Sequence, residues 1–117
     1  MAIVFTTPVH GLLRIAAQMM TNQLAADDGV WVDFRQIANF NIHITGVSSP
    51  DVVQIRVSNE LTIPANSAHG RPLGFDITAE YMEIQRGSLY SWVKVYKPTG
   101  TGSATDAYML GDWIPLL

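Results

Sequence analysis

Hydrophobic and polar residues alternate along much of the chain. The alternation is clearest in residues 40–47 and 52–58, and it returns in residues 89–97 and 104–113. A period of two is typical of half-buried β-strands, because successive side chains point to opposite faces of a sheet. Several short strands of this kind, with turns between them, predict a mainly β fold: an antiparallel β-sandwich of the jelly-roll type.

Turn-forming residues separate these strands. The segment 46–51, Gly-Val-Ser-Ser-Pro-Asp, joins the first pair, and the segment 98–103, Pro-Thr-Gly-Thr-Gly-Ser, joins the second pair. Each pair is therefore predicted to be a β-hairpin. Residues 63–74 are rich in Pro, Gly, Asn and Ser and are predicted to form a long surface loop.

The spacing of apolar residues is different near the N-terminus. Intervals of three and four residues between residues 10 and 26 predict a short amphipathic helix that carries Leu12, Ile15, Ala16 and Met19. Several of these residue types also suit a strand, so a swapped strand over residues 9–26 is an open alternative. We expect residues 1–29 to form an N-terminal arm with this helix, and residues 30–117 to form the sandwich with an apolar C-terminal tail.

The composition predicts a single domain with a partly covered surface. A chain of 117 residues has the size of one domain. Only 15% of its residues are charged, against about 25% in typical globular domains. The low charge predicts that other subunits cover part of the surface. The seven basic residues are scattered along the chain, which argues against nucleic acid as a partner, because such binding needs a basic face.

The sequence contains no pattern for export or membrane insertion. The first residues have neither a basic start nor a small-residue cleavage site. The apolar run 11–20 is interrupted by Arg14 and is too short to span a membrane. The sequence has no cysteine, which excludes disulfides and thiolate metal sites. We expect a protein that is made in a cytoplasm and has no membrane partner.

The ionisable residues lack the spacing of a catalytic or metal site. Asp27 and Asp28 lie side by side in a turn, where neighbouring side chains point apart. Glu80 and Glu83 fall on opposite faces of a strand. The histidines have no metal-type spacing to one another or to a pair of carboxylates: His10, His43 and His69. We therefore predict no catalytic residue, no metal, no cofactor and no enzymatic activity.

Two sets of apolar and aromatic residues are candidate binding sites. Apolar termini and a flexible methionine pair predict a subunit interface, made of Ile3, Val4, Phe5, Met19, Met20, Trp113, Ile114, Leu116 and Leu117. A row of aromatic rings on one strand face is the alternative, a carbohydrate- or receptor-binding site made of Tyr90, Trp92 and Tyr96. The same rings also suit a core or an interface, where aromatic residues contribute much of the energy.

Three segments of the sequence resemble a known family. The first is Trp31-Val32-Asp33-Phe34 followed by Phe40-Asn41-Ile42-His43-Ile44-Thr45-Gly46, and the second is Val53-Gln54-Ile55-Arg56-Val57-Ser58-Asn59-Glu60. The third combines Trp92-Val93-Lys94-Val95, Gly100-Thr101-Gly102-Ser103 and Ala107-Tyr108-Met109-Leu110-Gly111. This order of strands and turns, over about residues 30–113, resembles the small β-sandwich virion proteins of tailed bacteriophages, in particular head decoration (cement) proteins and related tail or neck components.

The resemblance implies a function in the phage particle. It implies a virion structural protein, made in the host bacterial cytoplasm, that stabilises the phage head by binding between major capsid subunits. Its expected partners are the major capsid protein and copies of itself, in a homotrimer. A carbohydrate- or receptor-binding module of the phage tail, or a connector component, is the alternative function.

Overall fold

Two antiparallel sheets make up the part of the chain that the computed structural model describes, which is residues 3–5, 13–65, 69–87 and 90–114. Strands β1, β2, β9, β4 and β7, in that order, form the first sheet, and β3, β8, β5 and β6 form the second. The strands are β1 (Ile3–Phe5), β2 (Leu13–Gln23), β3 (Val32–Asp33), β4 (Ile37–Thr45), β5 (Val52–Ser58), β6 (Arg71–Pro72), β7 (Tyr81–Gln85), β8 (Trp92–Thr99) and β9 (Thr105–Trp113). The described residues contain no helix, and the predicted antiparallel β-sandwich is confirmed.

The core lies between the two sheets. Strand β4 contributes Ile42 and Ile44, and strand β5 contributes Val53 and Ile55, all fully buried. Each pair is separated by one residue, as the alternation of a strand requires. Burying a branched aliphatic side chain stabilises a fold by roughly 1.5–3 kcal/mol. The inward positions of the alternating pattern therefore hold the two sheets together.

The helix predicted between residues 10 and 26 is wrong for residues 13–23, which form strand β2. This strand pairs with β9, and Ile15 and Ala17 point into the core. A register shift after Gln18 then brings Met19 and Met20 inward together. Because of the bulge, the inward residues are two residues apart at first and then one residue apart. This mixed spacing contains the intervals of three and four residues that a helix would also give. Leu12 lies outside the described residues.

The two predicted hairpins are also wrong. Strand β4 belongs to the first sheet and β5 to the second, while β8 belongs to the second and β9 to the first. The segments 46–51 and 100–104 therefore cross from one sheet to the other. Because β4 pairs with β9 and β5 pairs with β8, the two crossing segments lie side by side. Alternation shows that each strand buries one face, but it does not show which strand is its neighbour.

A buried polar network joins the two crossing segments. The Asp51 carboxylate accepts hydrogen bonds from the backbone N–H groups of Thr101 at 2.7 Å and Ser103 at 3.0 Å. It also accepts hydrogen bonds from both hydroxyl groups. The hydroxyls of Ser103 and Thr101, followed by their backbone N–H groups, hold the pKa of Asp51 well below its usual range. Asp51 is therefore a carboxylate at neutral pH, although it is fully buried.

Lys97 connects the same network to the end of β2. Its ammonium group lies 3.6 Å from the Asp51 carboxylate, and neither side chain is exposed. It donates hydrogen bonds to the carbonyl oxygens of Gln23 at 2.6 Å and Ser103 at 2.7 Å. A buried ion pair is tolerated when hydrogen bonds satisfy the remaining polar groups, and both partners here meet that condition. The network fixes the first sheet to the second at one end of the sandwich.

Candidate protein-binding surface

The outer face of the first sheet carries two rows of cross-strand neighbours. Each row crosses strands β2, β9, β4 and β7 in turn. One row consists of Gln18, Tyr108, His43 and Met82, and the next consists of Ala16, Leu110, Asn41 and Ile84. We call these eight residues the outer face. Directly opposed side chains in such a row are close enough to form one continuous surface.

Large apolar side chains of the outer face lie on two strands, β9 and β7. Met82 is 45% exposed, Ile84 58% and Tyr108 44%, and Leu110 beside them is half-buried. Strand residues on a solvent-facing side are usually polar, so large apolar side chains on two strands of one open face are a candidate binding surface. These side chains extend from β9, inside the sheet, to the edge strand β7.

Polar and charged groups lie beside and between these apolar side chains. The Arg14 guanidinium lies 3.8 Å from the Asp112 carboxylate on one side. Between Tyr108 and Met82, His43 Nε2 lies 3.1 Å from Glu80 Oε2. Protein–protein interfaces combine apolar contacts with polar groups. The outer face offers both kinds of group.

A shallow depression of about 370 Å³ lies at one side of the outer face. Leu110 and Ile84 provide its apolar wall, and Arg14, Arg86 and Asp112 provide its charged wall. A depression with both kinds of wall can accept a single amphipathic side chain from a partner.

Strand β7 is an edge of the first sheet, and one side of its backbone has no strand partner in the described part of the chain. Its outward residues Met82 and Ile84 are apolar. Its half-buried residues form a short chain of hydrogen bonds, in which Tyr81 and Gln85 donate to the Glu83 carboxylate at 3.0 Å and 2.9 Å. Burial, and then Glu83, raise the pKa of the Tyr81 hydroxyl. Exposed edges are usually protected by Lys, Pro or a bulge, and these five residues include neither residue type and no bulge.

The terminal residues of the predicted subunit interface are only partly described. Ile3, Val4 and Phe5 form β1 and pair with β2, but their side chains, like Leu116 and Leu117, lie outside the described part. Trp113 is half-buried against the core. Ile114 is half-exposed, and its backbone N–H donates to the Gln36 carbonyl at 2.7 Å. The interface proposed for these residues stays a prediction.

The methionine pair does not lie on the surface. Met19 and Met20 are buried in the hydrophobic core of the same chain. The bulge in β2 turns both side chains inward, so neither is available to another subunit in this structure. This part of the predicted interface is corrected.

The predicted aromatic row is divided between the core and the surface. The ring of Tyr90 packs edge-on against Phe40 of the core, at 6.4 Å between centroids. Trp92 is only 8% exposed, and its indole N–H donates to the Glu60 carbonyl at 3.0 Å. Tyr96 is half-buried on the outer side of the second sheet. The three rings do not form one open face, and glycan binding stays a prediction.

Cationic side chains lie on the aromatic rings of the second sheet. Arg35 lies over the Trp92 ring at 5.2 Å, and Lys94 lies over Trp31 at 4.7 Å and Tyr96 at 5.4 Å. Burial lowers the pKa of Lys94. Cation–π contacts of this kind are stronger when they are desolvated. The second sheet is therefore covered on its outer side by residues of its own chain.

The two described histidines each contact one carboxylate, and His10 lies outside the described residues. His43 pairs with Glu80, and His69 Nδ1 lies 3.2 Å from Glu60. The Ser58 hydroxyl also donates to Glu60, at 3.0 Å. A nucleophilic triad needs its serine on the histidine, whereas here the hydroxyl and the imidazole both contact the carboxylate. The described residues contain no group of three or more ligands that could hold a metal ion.

The acidic residues that are close together in the sequence contact different groups in the structure. Asp27 pairs with Lys97 through backbone hydrogen bonds of 2.9 Å in both directions, as part of the strand network. Glu80 and Glu83 contact different groups, His43 and Tyr81.

The part of the chain that the structure describes has no helix that could span a membrane.

The order of the strands defines the class of the protein as a two-sheet antiparallel β-sandwich. No family model and no curated protein sequence matches the chain. Among solved structures, the fold is similar to that of the SPBc2 prophage-derived protein YomS, with a TM-score of 0.65 at 10% sequence identity. The similarity covers 92% of this chain and 99% of YomS, so it extends over nearly the whole of both chains.

The outer face is not among the binding sites predicted from the sequence, although one segment of the sequence indicates it. Residues 107–111, Ala-Tyr-Met-Leu-Gly, are a continuous apolar run rather than an alternating one. Such a run indicates a strand that is covered on both faces. In the structure one of these faces is the core and the other is the outer face, where Tyr108 and Leu110 lie.

Proposed function

We propose that the chain is a structural protein of a phage virion, of the capsid decoration type, that binds between major capsid subunits. The proposal assigns it no catalytic step. The prophage origin of YomS, which has the same fold, supports a phage-related role. The resemblance of residues 30–113 to decoration proteins supports the location on the head.

The exposed apolar side chains of the outer face are the observation that carries the proposal. Tyr108 and Leu110 lie on β9, and Met82 and Ile84 lie on β7, with strand β4 between the two pairs. Each Å² of apolar surface that a partner removes from water contributes roughly 25 cal/mol. A protein that contacts two capsid subunits with this surface would make their separation costlier, because separation would expose the apolar area again.

Binding to head shells tests the proposal. Purified protein is mixed with shells assembled from the major capsid protein of the same phage, and bound protein is measured after sedimentation. We expect saturable binding that falls at least tenfold when Tyr108→Ser and Leu110→Ser are combined, because both changes remove apolar contact area. Leu61→Ser is the matched control, since Leu61 is 93% exposed in a loop away from the outer face.

Two results would contradict the proposal. Failure of the wild-type protein to bind shells excludes a decoration function. Equal loss of binding in the Leu61→Ser control would show that the outer face is not the contact surface. The thermal unfolding of each variant is measured beside its binding, so that a folding defect is recognised.

A further inference from the structure

The outward side chains of β7 and its flanking residues form a self-complementary pattern. In chain order they are Glu80, Met82, Ile84 and Arg86, which is an acid, two apolar residues and a base. Glu80 contacts His43 on the outer face, and Arg86 lines the depression on the same side. A second copy of this strand in the opposite direction presents a base, two apolar residues and an acid.

We propose that two copies of the chain pair antiparallel through their β7 edges, with Glu83 at the two-fold axis. In this register Met82 lies opposite Ile84 of the second copy, and Glu80 lies opposite Arg86 of the second copy. Each contact occurs twice by symmetry, as a two-fold interface requires. Opposite charges and apolar pairs placed directly across two strands are both stabilising.

Other registers lose this complementarity. A shift of two residues in either direction places Met82 opposite Arg86, or Ile84 opposite Glu80, and so pairs an apolar side chain with a charge. A shift of one residue turns the apolar side chains of one copy to the opposite face. The pattern of charges therefore selects a single register as well as a partner.

The two Glu83 carboxylates meet at the axis, and this contact opposes the pairing. In each copy the carboxylate already accepts hydrogen bonds from Tyr81 and Gln85. Like charges directly opposite each other destabilise a strand pair. The pairing therefore predicts that Glu83→Gln, which removes the charge and keeps the shape, strengthens the dimer. A contact elsewhere on the surface would not predict this.

Pairing at β7 would join two five-stranded sheets into one sheet across two molecules and place their outer faces side by side. The proposal concerns the isolated protein, does not depend on capsid binding, and replaces the homotrimer that the family resemblance implies with a dimer. Light scattering tests the dimer, and sedimentation with shells tests the decoration function. Failure of one leaves the other unaffected.

Size-exclusion chromatography with light scattering, over a series of protein concentrations, measures the pairing. We expect a dimer that dissociates on dilution. Glu80→Arg and Arg86→Glu are each expected to weaken it at least tenfold, because each change places like charges opposite each other twice. Combining the two changes exchanges the charges and is expected to restore the dimer. Arg71→Glu is the matched control, since Arg71 is exposed on β6, the edge of the other sheet.

A second variant tests the edge without relying on the ion pairs. Met82→Lys places a charge opposite Ile84 of the second copy and is expected to give a monomer with an unchanged circular dichroism spectrum. A wild-type protein that is monomeric at every concentration overturns the proposal, and so does a trimer. A dimer that tolerates Met82→Lys, or that the double charge exchange does not restore, also overturns it.

Discussion

The two outer faces of the sandwich differ in what covers them. On the second sheet, the Arg35 guanidinium lies over the Trp92 ring, and the Lys94 ammonium contacts the Trp31 ring. On the first sheet, Ile84 is 58% exposed, and Met82 and Tyr108 are 45% and 44% exposed. In the described residues the chain covers one of its sheets and leaves the other open. The comparison supports the proposal that a partner covers the first sheet.

The largest expected effect comes from breaking the network that holds both sheets together. Lys97→Met leaves the buried Asp51 carboxylate without its cation and is expected to destabilise the fold by about 3–5 kcal/mol. Urea unfolding measures this change. Lys94→Met is the matched control, because Lys94 is also buried but its pKa is lowered by burial. We expect the control to lose far less stability, and equal losses would contradict the bridging role of Lys97.

The same control variant gives a test by pH. The folded pKa of Lys94 lies below its unfolded value, so the unfolded chain binds more protons between the two values. Stability contributed by this group therefore rises with pH through that window, towards the unfolded pKa of about 10.4. We expect the wild-type protein to gain stability relative to Lys94→Met as pH rises from 7 towards that value. A constant difference across this range would contradict the burial of a titrating Lys94.

Matched substitutions on the two faces sharpen the comparison between them. Trp92→Ala removes a buried ring and its hydrogen bond to Glu60, and is expected to cost about 3–5 kcal/mol of stability. Ile84→Ser removes an exposed side chain and is expected to change stability by less than about 0.5 kcal/mol. Thermal unfolding of the two variants measures both. Similar losses would show that the two faces are equally part of the fold.

The smallest expected effect concerns the rim of the second sheet. The hydrogen bond from Arg35 holds the pKa of Asp33 below its usual value. The stability that this contact contributes is present above the unfolded pKa of about 3.9 and is lost as pH falls through the folded pKa. We expect Asp33→Asn to be slightly less stable at neutral pH, by well under about 1 kcal/mol, because solvent screens the exposed pair. The difference from wild type should vanish in strong acid, and a difference that persists there would contradict the charge-based origin.

The positions of the strands were largely predictable, whereas their partners were not. Strand β5 begins and ends where the alternation of residues 52–58 predicts. Alternation depends only on which successive side chains are exposed, and for this reason it predicts the bounds of a strand correctly. The hairpins failed because β4 finds its partners in β7 and β9, far away in sequence. No local turn signal distinguishes a tight hairpin from a segment that crosses between sheets.

The candidate site was less predictable than the fold. The expected interface at Met19 and Met20 failed because a bulge, which the apolar pattern does not reveal, turns both side chains into the core. The open face depends on which strands are neighbours, since Tyr108 and Met82 are brought together only through His43 of β4. Their common surface becomes visible only when the pairing is known.

The pairing of β2 with β9 has a consequence for how the chain folds. Leu13 is the partner of Trp113, so one of the central pairings of the first sheet joins the two ends of the chain. Residues so far apart in the sequence lose much chain entropy when they come together, and the stabilising contacts form only afterwards. Pairing of this kind therefore makes folding slow. During synthesis β9 emerges after the other described strands, so its pairings with β2 and β4 form only then. Until that point the nascent chain carries unpaired edges on β2 and β4, and unpaired strand edges promote aggregation.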